Sequence, residues 1–194
     1  VFDEVVSGTK LSGVAPAVPS LEACFKPAKL TESELASTAR AARIGLLRSV
    51  RSSGDPFIDS EVYRKTLEEL ENGWLDGPHD PESLPEDTVI SRRFGILQSS
   101  GDASKVRLID DFSASGVNST VQVNSCTKLH TLDVAAALIL KLLRESKAAS
   151  WVGKTIDLSA AYRQLGVAAE SRWVSFIAVY DPSSKTPKIF AMRA

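Results

Sequence analysis

The chemistry-bearing stretch of this chain runs from Lys154 to Leu165, Lys-Thr-Ile-Asp-Leu-Ser-Ala-Ala-Tyr-Arg-Gln-Leu. A short apolar approach ends in one carboxylate, Asp157, and Tyr162 follows five residues later. Val167 closes a second apolar stretch. The order reads as a strand, an acid, a tight turn or single helical turn, and extended chain again. A carboxylate at the end of a buried strand is costly unless something pairs with it. A divalent cation is one such partner, because hard cations take carboxylate oxygens. The competing reading is a helix N-cap: Asp caps helices well, and Ala-Ala-Tyr-Arg-Gln can continue one.

A second group of candidates lies upstream. Val89 to Leu97 and Lys105 to Phe112 are apolar-rich runs on either side of Ser99-Ser100-Gly101-Asp102. Two such runs about a polar, Gly-containing turn predict a β-hairpin. It would bring Arg92 or Arg93 near Lys105 and Arg107, a local basic patch. Ordinary cross-strand charge that keeps a hairpin soluble is the plainer alternative. Gly116 to Thr127 reads as an extended connection, with Asn118 and Gln122 as ordinary loop polarity or as contacts to nucleic acid. Trp173 to Tyr180, the turn Asp181-Pro182-Ser183-Ser184 and Lys188 to Met192 predict a second hairpin.

Asp157-Leu158-Ser159-Ala160-Ala161-Tyr162-Arg163-Gln164 resembles motif A of retroelement reverse transcriptases. Lys105-Val106-Arg107-Leu108-Ile109-Asp110-Asp111-Phe112 with the later Asn118 resembles that family's fingers segment. Trp173 to Tyr180 and Lys188 to Met192 resemble the palm hairpin that follows motif A. The resemblance covers about Thr88 to Ala194 and implies an RNA-directed DNA polymerase, a nucleotidyltransferase using two magnesium ions. Asp157 would then be catalytic and bridge both ions, with the main-chain carbonyl of Leu158 a further ligand. Arg107 first, then Lys105 and Arg93, would hold the triphosphate of the incoming deoxynucleotide. Tyr162 matches the aromatic that obstructs a 2′-hydroxyl, or it is a core aromatic, or both. The implied partners are an RNA or DNA template-primer, deoxynucleotide triphosphates and the rest of a longer polyprotein.

Asp110-Asp111 superficially resembles motif C, the paired acids that complete the metal site. It lies upstream of motif A, with Asp110 47 residues before Asp157, and its neighbours Arg107 and Asn118 fit the fingers better. A permuted palm is the remaining alternative, and a strand end with Asp111 turning the chain is the plain one. No motif C, motif B, thumb or RNase H segment follows motif A. The chain is therefore expected to be a fragment, inactive alone. A non-catalytic nucleic-acid-binding module and a non-functional retroelement remnant are the other readings. A broken palm would expose a sheet edge and lower solubility.

The elements that must position these residues are legible too. Thr31 and Glu34 form a capping-box signal for a helix to about Val50, with Leu35, Ala39, Ala42, Leu46 and Val50 as its apolar stripe. Arg40, Arg43, Arg48 and Arg51, on or just beyond it, form a solvated face or a phosphate-contacting one. A second helix, opened by Asp59-Ser60-Glu61, is expected to run to about Asn72, burying Val62, Leu67 and Leu70, with Gly73 after its end. Gly77-Pro78-His79-Asp80-Pro81 and Leu84-Pro85 read as a loop, and Trp74 to Pro85 resembles the leader before the same family's fingers. Thr131 to about Ser146 is the strongest helix former, expected as core packing beneath the sheet. The fold class is α+β: an incomplete polymerase right hand, with a fingers β-hairpin and palm strands with packed helices, preceded by a helical segment. Residues 1–30 read as an irregular segment, 31–87 as a helical leader and 88–194 as partial fingers and palm.

Composition sets the outer bounds. With 23 basic and 24 acidic residues the chain has no overall basic field, which argues against a free-standing nucleic-acid binder, although a local patch survives a neutral total. Cys24 and Cys126 have no metal-ligand spacing, as in a reduced intracellular protein, cytoplasmic or nuclear. No apolar run reaches the length of a membrane span. His79 and His130 are lone histidines with no ligand partners in sequence.

Overall fold

Capping chemistry starts both long helices. In the computed structural model, which describes residues 7–15, 17–19, 22–100, 103–126, 132–146, 152, 154, 163 and 165–193, helix α1 spans Glu32–Ser49. The Thr31 hydroxyl accepts from the Glu34 amide at 3.2 Å, and the Glu34 carboxylate accepts from the Thr31 amide at 2.8 Å. Both halves of the capping box are therefore present, and such a cap stabilises by about 1 kcal/mol. Helix α2, Pro56–Glu71, begins earlier than the acidic triplet suggests. Asp55 accepts from the Phe57 amide at 2.9 Å, and proline occupies the first turn, where its missing amide costs nothing. The Gly54-Asp55-Pro56 break is thus the cap itself. Gly73 follows α2 with φ of +73°, a left-handed terminator.

Five strands form one sheet in the order β2-β7-β6-β3-β4: β2 (Leu75–His79), β3 (Ile90–Ser100), β4 (Ala103–Asp111), β6 (Phe176–Asp181) and β7 (Thr186–Met192). β3 and β4 are the first expected hairpin, and β6 and β7 the second; β6 pairs parallel to β3. β2 is not among the expected strands, and Gly77-Pro78-His79 reads as loop; it gains its pairing from β7, Leu75 opposite Met192. A separate pair joins β1 (Glu22–Lys26), inside the segment read as irregular, to β5 (Val123–Cys126). The protein is mixed α+β.

The helices cover opposite faces of the sheet. Ile58 and Val62 of α2 pack on the face made by Val106, Ile177, Val179 and Phe190. The approach is close at Gly95: a Cβ there would stand 2.5 Å from Val62 Cγ2 and 2.8 Å from Val106 Cγ1. Leu46, Leu47 and Val50, at the end of α1, pack on the other face against Ile90, Ala178 and Ile189. The N-terminal half of α1 buries Leu35 and Ala39 against Val89, Val117 and Val174. Its stripe continues through Arg43, which is buried, while Ala42 is exposed. On α2 the inward residues include Asp59, Val62 and Thr66, and Leu67 is 36% exposed.

Helix α3, Leu132–Glu145, is not core packing. Every one of its residues is exposed, Leu132 at 88% and Leu138 at 60%. Among the described residues the core of the sheet is packed by α2 on one face and α1 on the other, and no residue of α3 is buried against either. No helix among the described residues is long and apolar enough to cross a membrane.

Asp59 ties the loop between the helices to α2. Burial pushes its pKa up, but hydrogen bonds from the Ser52 hydroxyl at 2.5 Å and the Ser53 amide at 2.9 Å outweigh this and hold it below the ordinary carboxylate value. A depressed carboxyl pKa contributes stability that is present above the unfolded value and lost as pH falls through the folded one. Asp59→Asn should therefore lower stability most at neutral pH and progressively less in acid, which flattens the acid limb of the stability-versus-pH curve. Urea unfolding at a series of acidic pH values measures this.

Candidate functional site

The register of the β3–β4 hairpin decides which basic residues meet. Arg92 pairs with Asp111, Phe94 with Ile109, Ile96 with Arg107 and Gln98 with Lys105. Directly opposed residues share a face, and neighbours along a strand alternate. Arg92, Phe94, Ile96, Gln98, Lys105 and Arg107 therefore lie on one face. Lys105 and Arg107 are exposed, and Arg92 is half-buried. Among the described residues no carboxylate stands within ion-pair distance of these three cations. The Arg92 guanidinium sits 5.5 Å from the Phe94 ring centroid, a cation–π contact that leaves its charge unneutralised. Arg51 lines the same small cleft as Arg92, Phe94 and Tyr180. An anion at the outer part of this face meets Lys105 and Arg107; Arg92 lies about 13 Å further down the strand from the position opposite Arg107, with Asp111 opposite it.

Arg93 is not part of that patch. It sits on the opposite face, and along the strand it is three residues from the position opposite Arg107, about 10 Å at the usual rise per residue. Its side chain is fully buried beneath α2. Nε donates to Asp110 at 2.6 Å, Nη2 to the second Asp110 oxygen at 2.9 Å, and Nη1 to Glu69 at 2.7 Å. Nη1 also reaches the Thr66 hydroxyl at 3.3 Å. Burial alone would lower the guanidinium pKa, but the charges and hydrogen bonds of Asp110 and Glu69 raise it above the ordinary value. Arg93 is thus saturated by its own protein.

Arg163 joins the same cluster. It donates to Glu69 through Nε at 3.2 Å and through Nη2 at 2.9 Å to each carboxylate oxygen, and it lies 3.7 Å from Asp110. Among the described residues, two arginines and two carboxylates from α2, β3, β4 and residue 163 come together in one group. Sequence reasoning missed it, although half was readable. Arg93 and Asp110 stand eight residues on either side of Gly101-Asp102, so a hairpin centred there pairs them. Nothing in the linear pattern links Glu69 or Arg163 to them.

Asp110 and Asp111 point to opposite faces of the sheet. Asp110 is engaged by Arg93, and Asp111 accepts from the Ala114 amide at 2.9 Å, turning the chain. Asn118 donates to the Ser113 hydroxyl at 2.9 Å, and Gln122 to Asn124 at 3.2 Å, so both are held locally. His79 packs edge-on against Phe176 at 5.6 Å. Asp157, Leu158, Tyr162 and His130 lie outside the described residues. Among the described residues no group of three His, Cys, Asp or Glu side chains could hold a metal ion. The Mg2+ ligands implied by the resemblance, Asp157 and Leu158, are both outside that set. Comparison of the chain with protein-family models, with curated proteins and with solved structures gives no match in any of the three.

Proposed function

We propose that this chain is the fingers and first part of the palm of an RNA-directed DNA polymerase, and that the β3–β4 hairpin holds the triphosphate of the incoming deoxynucleotide. The observation that carries the reading is the exposed pair Lys105 and Arg107 on one hairpin face, with no carboxylate partner among the described residues. Phosphoryl transfer spreads negative charge over the phosphate oxygens, and positioned cations stabilise it. Arg107 presents a planar fork suited to two phosphate oxygens, whereas Lys105 acts as a point charge. The motif-A resemblance assigns Asp157 to the metals and Tyr162 to the sugar of the nucleotide. Magnesium, when bound, would stabilise the attacking and leaving oxygens of the transfer. Within this chain, only Asp157 and the Leu158 carbonyl are assigned to it.

Titration of the chain with a deoxynucleoside triphosphate tests this. Arg107→Ala should weaken binding about tenfold, the loss of one charge-assisted contact, and Lys105→Ala by less. Unchanged binding in both variants would remove the hairpin from the site. Exposed Arg48 and Arg51 favour one other reading, a surface that binds nucleic acid without chemistry. In that case an RNA–DNA duplex binds with a steep salt dependence, and added nucleotide changes nothing.

A further inference from the structure

The charge cluster around Glu69 has no evident purpose as a source of stability. Burying two arginines and two carboxylates costs solvation that their mutual attraction only partly returns, and apolar replacements of such groups are often as stable or more so. What a directional ion cluster supplies better than an apolar contact is a defined relative placement of the parts it joins. Here the parts are functionally distinct. Asp110 and Arg93 belong to the hairpin that carries Lys105 and Arg107. Arg163 lies six positions beyond Asp157 in sequence, so the two residues can be no more than about 20 Å apart. Glu69 takes Arg93 and Arg163 on a single carboxylate, 14% exposed, from the stiff frame of α2.

Among the described residues, α2 holds the hairpin as far as the Leu97–Val106 pair: it touches β3 at Gly95, Val106 is buried, and Lys65 of α2 donates to the Val106 carbonyl. Arg107, opposite Ile96, lies within the held part, and Lys105, opposite Gln98, lies one pair beyond it. A change of angle at Arg93 is carried to both cations through the paired strands.

We propose that Glu69 is a positioning residue: it sets the placement of the β3–β4 hairpin relative to residue 163, and through it the distance between the phosphate-binding cations and the segment that follows motif A. The proposal rests on the polymerase reading for its purpose but not for its geometry. It predicts that Glu69 affects nucleotide binding without touching nucleotide.

Spin labels at Gln98→Cys and Leu165→Cys, with Cys24→Ser and Cys126→Ser, report the placement directly by pulsed electron–electron distance measurement. The starting protein should give one narrow distance distribution. Glu69→Gln should broaden or shift it, whereas Glu68→Gln, at the neighbouring exposed position, should not. If Glu69→Gln does not fold, Arg163→Met removes one arm while leaving Arg93 paired with Glu69 and Asp110, and it should broaden the distribution in the same way. Triphosphate affinity should fall about fivefold in the broadened variant. Arg107→Ala should lower affinity with the distribution unchanged. A distribution that is broad from the start, one that Glu69→Gln and Arg163→Met both leave narrow, or failure of both variants to fold overturns the proposal. If the starting protein binds no triphosphate, the polymerase reading fails while the distances still decide whether Glu69 positions the hairpin.

Discussion

Arg93→Ala should cost this protein about 3–5 kcal/mol, enough to unfold a marginal domain. The loss comes less from the attraction removed than from what is left behind. Asp110 would keep its place in β4 without the bidentate partner now at 2.6 and 2.9 Å, and Glu69 would lose the donor at 2.7 Å. Water cannot easily replace the guanidinium, since the Arg93 side chain is fully buried under α2. Arg163 stays near both acids but lies 3.7 Å from Asp110, too far for a good hydrogen bond. Urea unfolding measures the loss. A variant within about 1 kcal/mol of the starting protein would mean that the acids find other partners, and the cluster would not be the clamp described here. Arg93→Lys should fall between, because an ammonium cannot span two carboxylates in a fixed fork.

Arg43→Ala should be the second large loss, about 3 kcal/mol and a melting temperature lower by roughly 10 °C. Arg43 is buried on α1 and donates to five main-chain carbonyls: Pro81 at 3.0 Å, Leu84 at 3.3 Å, Glu86 at 3.3 Å, Thr88 at 3.4 Å, and Pro85. These carbonyls belong to the loop that delivers the chain into β3. The prolines at positions 81 and 85 remove two amide donors from this loop, and the guanidinium supplies donors to its carbonyls. Arg43→Lys should recover little, because one ammonium cannot reach five acceptors spread over this span. Thermal unfolding of the two variants checks this, and a lysine variant as stable as the starting protein would contradict it.

Arg43 also marks where sequence reading stops. The helix from Thr31 was legible because its cap is local chemistry, and both hairpins were legible because strand alternation and turn residues are local as well. Which arginine faces inward was not legible. Ala42 satisfies the apolar pattern better than Arg43, yet Arg43 takes the buried position because the loop at 81–88 supplies carbonyls there. The same holds for Arg92 and Arg93. Adjacent in sequence, they fall on opposite faces, one beside Phe94 and one inside the charge cluster, and only the register separates them. β2 was missed because Leu75 to His79 contains glycine and proline and its partner β7 is more than a hundred residues away. α3 was misplaced for the opposite reason, since a strong local pattern carried no information about which sheet faces were already covered.

The candidate site divides along the same line. Lys105 and Arg107 could be read as cations of a hairpin from their positions alone. Glu69 and Arg163, which join that hairpin to the rest of the chain, became visible only when tertiary packing brought them together. Asp157, Leu158 and Tyr162 stand on the motif-A resemblance.

Primer extension reads the proposed polymerase activity itself. A polypeptide that joins this chain to a complete palm should extend an annealed primer with deoxynucleotides as the template directs. Asp157→Asn should abolish extension while triphosphate binding to Lys105 and Arg107 persists. Extension undiminished by Asp157→Asn, or no extension from the unaltered polypeptide, would rule out the polymerase reading.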